Sequence, residues 1–264
     1  MNCLKKVVLG MAIVLSTISA FEIDSFDPAA PLLENFSTNC LQMTQSQQIL
    51  KAYMMIGLNS NFGNPKENLA KAIPLYDKRA HQVRAYFQKR LDGYDDAQKA
   101  FDEAMLLWNT NKAMLLQPPT KENAVKIKEN FLLMINKLLL GTKPLATPAL
   151  ELISLTGKLC RKPLEITIDY LLQIWGVKVK NYDEEINKII VNYGKNLKIL
   201  SEDKLNNNES QKLLRKAKKQ FMYFEFAHHS GNVSIPSLLS KKADNNFMII
   251  REIKKVFKKQ AANK

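Results

Sequence analysis

Apolar side chains recur at steps of three and four through most of this 264-residue chain, the spacing of one helix face. Eight such stretches are separated by short polar breaks, and alternation with period two is absent. The first predicted helix enters at Pro31 and runs through Gln48 and Tyr53 to Ile56. After the Asn59–Asn64 break, Pro65 suits the first turn of a second helix reaching about Leu91. Leu69, Ile73, Tyr76 and the stem of Lys78 share its stripe, and Pro74 should bend it or move its true start later. Asp92-Gly93 precedes a third helix, Asp95 to about Leu116, carrying Phe101, Met105 and Trp108. Thr120 caps a fourth, roughly Lys121 to Leu140, with Val125, Ile127, Phe131, Met134, Ile135 and Leu138 inward.

The same plan recurs over Leu150–Trp175, Tyr182–Leu200, Glu209–His228 and Ser237–Lys259. A shift of 117 lays residues 31–58 over 148–175 with six identities, Tyr53 over Tyr170 among them. A shift of 116 lays Asn130-Phe131 over Asn246-Phe247 and Trp108 over Phe224. One register kept at both ends argues for duplication. Long helices joined by short loops predict an all-α fold of two tandem up-down four-helix bundles, residues 21–143 and 144–264.

Residues 1–20 read differently. Lys5 and Lys6 precede an apolar run, Val7 to Leu15, and Ile18-Ser19-Ala20 offers a small-residue cleavage site. A cleaved signal peptide and a periplasmic protein are expected; an uncleaved anchor is the alternative.

The formal charge of +14 is uneven. Residues 21–143 carry 15 basic and 13 acidic side chains, residues 144–264 carry 22 and 12. Lys212, Arg215, Lys216, Lys218 and Lys219, with the Lys254–Lys259 run, predict a basic face on the second bundle. Such a face suits an anionic envelope component or a membrane receptor; export argues against nucleic acid.

Candidate chemistry is sparse. Gln42, Gln45, Gln47, Gln48 and Asn39 form an uncharged polar cluster. A solvated helix face is the simpler account, and a buried amide pocket for a small polar or anionic ligand is the alternative. Tyr53 and Tyr170 could cap such a pocket or serve as core. Once the leader is removed, Cys40 and Cys160 remain, as one disulfide or as two buried thiols. Adjacent His228 and His229 make a poor chelate, so no metal site is expected. No phosphate loop, nucleophile elbow or cofactor motif is present, and the reading is non-enzymatic.

Ile153-Ser154-Leu155-Thr156-Gly157-Lys158-Leu159, followed by Tyr170-Leu171-Leu172, resembles the opening helix of a periplasmic sensor domain. That domain belongs to type IV pilus methyl-accepting chemotaxis transducers (PilJ) and NarX-like nitrate/nitrite sensor kinases. Gln42-Met43-Thr44-Gln45-Ser46-Gln47-Gln48-Ile49-Leu50-Lys51-Ala52-Tyr53 matches the later part of the same helix, and Leu107-Trp108 also suits the family. The resemblance implies ligand binding between two bundles. An arginine of the family's first helix holds the anion there, and that position is Met43 in one copy and Cys160 in the other. Lys158 and Arg161 lie nearby on the helix but off the inherited position. The expected site therefore lies between the two first helices and is lined by Lys158, Arg161, Gln42 and Gln45. Pro163, where the first copy has Ser46, is expected to kink its helix.

Overall fold

The computed structural model describes residues 26–229 and 236–262, so the expected signal peptide lies outside the described residues. Among the described residues the chain is all-helical and has no strand. The helices are α1 (Leu32–Gly57), α2 (Pro65–Arg90), α3 (Asp95–Leu115), α4 (Lys121–Thr142), α5 (Pro148–Ile174), α6 (Tyr182–Glu202), α7 (Asn208–His229) and α8 (Pro236–Ala262), with a 3-10 turn at Lys143–Leu145.

Local chemistry sets these ends. Pro65 and Pro148 open α2 and α5, where a missing N–H costs nothing. Thr120 and Thr147 accept hydrogen bonds from the N–H groups of Asn123 and Leu150, at 3.1 and 3.3 Å. At α7 the cap is reciprocal: Asn207 and Ser210 each donate a backbone N–H to the other's side chain, at 2.9 Å. The Asp92-Gly93 break works because Gly93 sits at φ +83°, a conformation that a β-carbon penalises. Pro74 does not start or end a helix: α2 runs through it unbroken, and α5 runs unbroken through Pro163. Lys78 is exposed rather than part of the buried stripe.

In the N-terminal half α2, α3 and α4 pack in succession and α1 closes against both α2 and α4. In the C-terminal half α5 holds the corresponding place between α6 and α8. Each half has its own aromatic centre. Tyr76 of α2 lies 4.2 Å from Trp108 of α3, ring to ring, and its hydroxyl donates to Met134 Sδ of α4. Tyr193 of α6 stacks 3.6 Å over Phe221 of α7, and its hydroxyl donates to Asn246 Oδ1 of α8 at 3.1 Å.

The halves meet through α1 and α5. The β-carbon of Cys40 faces Gly157, Met43 faces Arg161, and Gly57 faces Trp175. These pairs differ by 117 or 118 positions throughout, so the two helices run parallel and level. Gly157 permits the approach: a β-carbon there would sit 3.2 Å from that of Cys40. On its other side α1 meets α8 antiparallel, through Glu34 with Lys258, Ser37 with Lys254, and Lys51 with Asp244.

Four neighbours leave α1 no solvent face. Every residue from Asn35 to Met55 is buried, including the whole glutamine-rich run. The solvated face expected for Asn39, Gln42, Gln45, Gln47 and Gln48 is therefore corrected to a buried one. Lys254 moves likewise, from a surface lysine run to a buried position beside α1. No helix among the described residues is long and apolar enough to cross a membrane.

Candidate functional site

Burying a polar helix forces each amide to find partners, because an unpaired buried group costs about 1–3 kcal/mol. Some are found. Arg79 of α2 donates to Gln45 Oε1 at 2.8 Å, and Gln42 hydrogen-bonds the Tyr76 hydroxyl. Others have no protein partner: both amide atoms of Asn39, Gln42 Oε1, Gln45 Nε2 and Gln47 Nε2.

A buried cation stands at the α1–α5 seam. Positions 40, 43, 47, 50, 54 and 57 alternate steps of three and four, so they share the face that Cys40, Met43 and Gly57 turn to α5. Gln47 stands on that face one turn beyond Met43. From α5 comes Arg161, only 5% exposed, whose Nη1 lies 3.7 Å from Met43 Sδ. A thioether is a weak acceptor for a guanidinium. Cys40 and Cys160 flank it. Burial raises both thiols, Cys160 to about 12, against the opposing pull of Lys254 and Arg161. Both cysteines are free, so of the two alternatives the buried-thiol one is found.

The expected site residues do not converge. Arg161 is in the seam, directed at Met43 of α1. Gln42 and Gln45 turn instead toward α2. Lys158 is exposed. Tyr53 is fully buried; its hydroxyl donates to Pro118 O and accepts from the Thr120 N–H, both at 3.3 Å, pinning the α3–α4 loop. Tyr170 opens onto a separate cleft of about 910 Å³, with Gln173, Lys178, Tyr182, Asp183 and His228. There burial, with the nearby carboxylates of Asp169 and Asp183, lifts the Tyr182 hydroxyl to about 12, and burial lowers His228. The residue missing from the expected seam is Gln47. Its three-four spacing from Cys40 and Met43 was the available signal.

Across the same junction run two further ion pairs: Lys51 Nζ is 2.5 Å from Asp244 Oδ1, and Lys128 of α4 pairs with Asp169 of α5. Burial raises the Asp169 carboxyl above its usual range, despite Lys128. Among the described residues no group of three or more His, Cys, Asp or Glu is placed to hold a metal ion.

No known protein family, curated protein or solved structure matches this chain.

Proposed function

We propose that the chain is an exported, non-enzymatic sensor-like or adaptor protein of two tandem up-down four-helix bundles, residues 21–143 and 144–264, behind a cleaved signal peptide at residues 1–20. In this reading it is a two-copy relative of the PilJ/NarX-like periplasmic sensor domain. The seam between its first helices receives a small polar or anionic ligand, and the bound state passes to an envelope partner such as a chemoreceptor.

Three features support the duplication. Tyr76 and Tyr193 stand 117 positions apart, and each lies against an aromatic ring of the next helix and hydrogen-bonds the one after. Asn130 and Asn246, 116 apart, are both buried and both donate to the preceding helix. The first helices of the two copies pair level with each other, as the two subunits of a symmetric dimer would.

The observation that carries the ligand reading is Arg161: a buried guanidinium beside the Met43 thioether, with the unpaired Gln47 Nε2 one turn along α1 from that methionine. An anion there would satisfy both and bridge α1 to α5. Binding shifts a signal only if the ligand prefers one arrangement of the two helices. Melting temperatures in nitrate, nitrite, phosphate, sulfate and small carboxylates test this. At least one should raise the melting temperature of the parent and leave Arg161→Met unmoved. If none moves the parent, the ligand reading fails.

A second reading, a structural or interaction module of the cell envelope or pilus system, draws on a different surface. Lys212, Arg215, Lys216, Lys218 and Lys219 are all exposed along α7. Co-sedimentation with vesicles of anionic phospholipid, strong at low salt and lost at high salt, is its expected signature. Absence of binding at low salt counts against it.

A further inference from the structure

Two of the ion pairs that cross between the halves occupy corresponding places with their signs exchanged. Lys128 and Asp244 stand 116 positions apart on α4 and α8, and Lys51 and Asp169 stand 118 apart on α1 and α5. The first is the offset that relates the last helices elsewhere; the register of the first helices is 117, so Asp169 stands one position beyond the counterpart of Lys51 and meets α4 as Lys51 meets α8. The contact between α1 and α8 is thus the counterpart of the contact between α5 and α4. In the first it is the N-terminal half that supplies the cation, Lys51, and Asp244 that answers it. In the second the N-terminal half again supplies the cation, Lys128, and Asp169 answers. One half carries both lysines and the other both aspartates.

We infer that Lys51, Lys128, Asp169 and Asp244 form a charge code that makes the junction accept only an N-terminal half opposite a C-terminal half. This rests on the tandem reading above and adds the rule by which unlike copies choose each other. Two N-terminal halves paired through the same faces would set Lys51 against Lys128 at both contacts. Two C-terminal halves would set Asp169 against Asp244. Lys51 and Asp169 are almost wholly withdrawn from water, with side chains 9% and 8% exposed. Each like-charge pair would hold one such buried charge against a partner only 22–29% exposed, so self-pairing is penalised at both contacts of a junction. The third crossing pair, Glu34 with Lys258, has no such counterpart, because Thr142 stands at the position matching Lys258. It attaches the halves without discriminating between them. A further consequence is that this chain should not assemble with a second copy through its junction, since both faces are already used and each rejects its own kind.

The test uses the full chain with a protease site introduced after Ala146, in the exposed connection before α5. After cleavage, native mass spectrometry should find the parent's two fragments as a one-to-one complex with no fragment homodimers. Lys51→Asp with Lys128→Asp should weaken that complex at least about tenfold. Adding Asp169→Lys and Asp244→Lys, which restores both pairs in reversed polarity, should bring it back. Urea unfolding of the uncut chains should follow the same order, parent and fourfold variant above the double variant. Homodimers of either parental fragment, a double variant as tight and as stable as the parent, or a fourfold variant no better than the double would each overturn the code. Fragments that form no complex at all would overturn the tandem reading, and the code with it.

Discussion

Trp175 lies across Gly57 so closely that a β-carbon on the glycine would fall 2.1 Å from the indole Cζ2. This is where the far end of α1 meets the far end of α5, and the glycine's missing side chain is what lets the ring down. Gly57→Ala should therefore cost about 1–3 kcal/mol in urea unfolding, through a forced shift of the ring. Gly194 is the control. It is exposed within α6, and a β-carbon there meets nothing within 4 Å. Gly194→Ala should stabilise by about 0.5–1 kcal/mol, because it only removes unfolded-state freedom.

Arg161→Met replaces a buried charge with an apolar side chain of similar length beside another methionine. Without added anion the variant should be as stable as the parent or more so, since the desolvation cost disappears. A marked loss of stability would mean that Arg161 serves the fold rather than a ligand. The measurement is urea unfolding in a buffer of a large, weakly binding anion.

Asp77 links α2 to α3, accepting from Trp108 Nε1 and from Lys112 Nζ, both at 2.7 Å. Burial opposes its ionisation, but those two donors outweigh it and hold the carboxyl below its usual range. A folded value below the unfolded one means that the stabilisation is complete above the ordinary Asp pKa of about 3.9 and is lost as pH falls through the folded value. Asp77→Asn should flatten that acid limb in unfolding measured from pH 6 to pH 2. Trp108→Phe removes the donor and leaves a gap beside Tyr76 and Phe131, at a cost of about 1–3 kcal/mol.

The cysteines report on folding and on processing together. A thiol at about 12 is thiolate in only about one part in ten thousand at pH 8, and both are buried, so the native chain should resist iodoacetamide. In urea two thiols should react if residues 1–20 are removed, and three, with Cys3, if they are kept. Zero without the leader, or one with it, would mean a Cys40–Cys160 disulfide.

The eight helices were legible because each rests on short-range evidence. Observed ends fall within two or three residues of the expected ones, as at Pro65–Arg90 against Pro65–Leu91, and Asp95–Leu115 against Asp95–Leu116. Pro74 did not move the start of α2, because a proline in a long helix costs one hydrogen bond and some crowding, which a well-packed α2 absorbs.

The candidate site was legible only in its location. Arg161 and the seam between the first helices were expected; the scattering of Gln42, Gln45, Lys158, Tyr53 and Tyr170 was not. A helix presents five or six directions, and which neighbour fills each depends on crossing geometry that one strand of residues does not encode.

By itself, then, the amino-acid order determined where helices begin and end, because spacing, caps and breakers act within a few residues. Only the tertiary structure decided that α1 has no water on any side. A run such as Gln42–Gln48 looks solvated until α2 and, from more than a hundred positions away, α5 and α8 close over it. It also decided that Lys51 finds Asp244 and Lys128 finds Asp169, since opposite charges a long way apart in the chain select each other only once packing has made them neighbours.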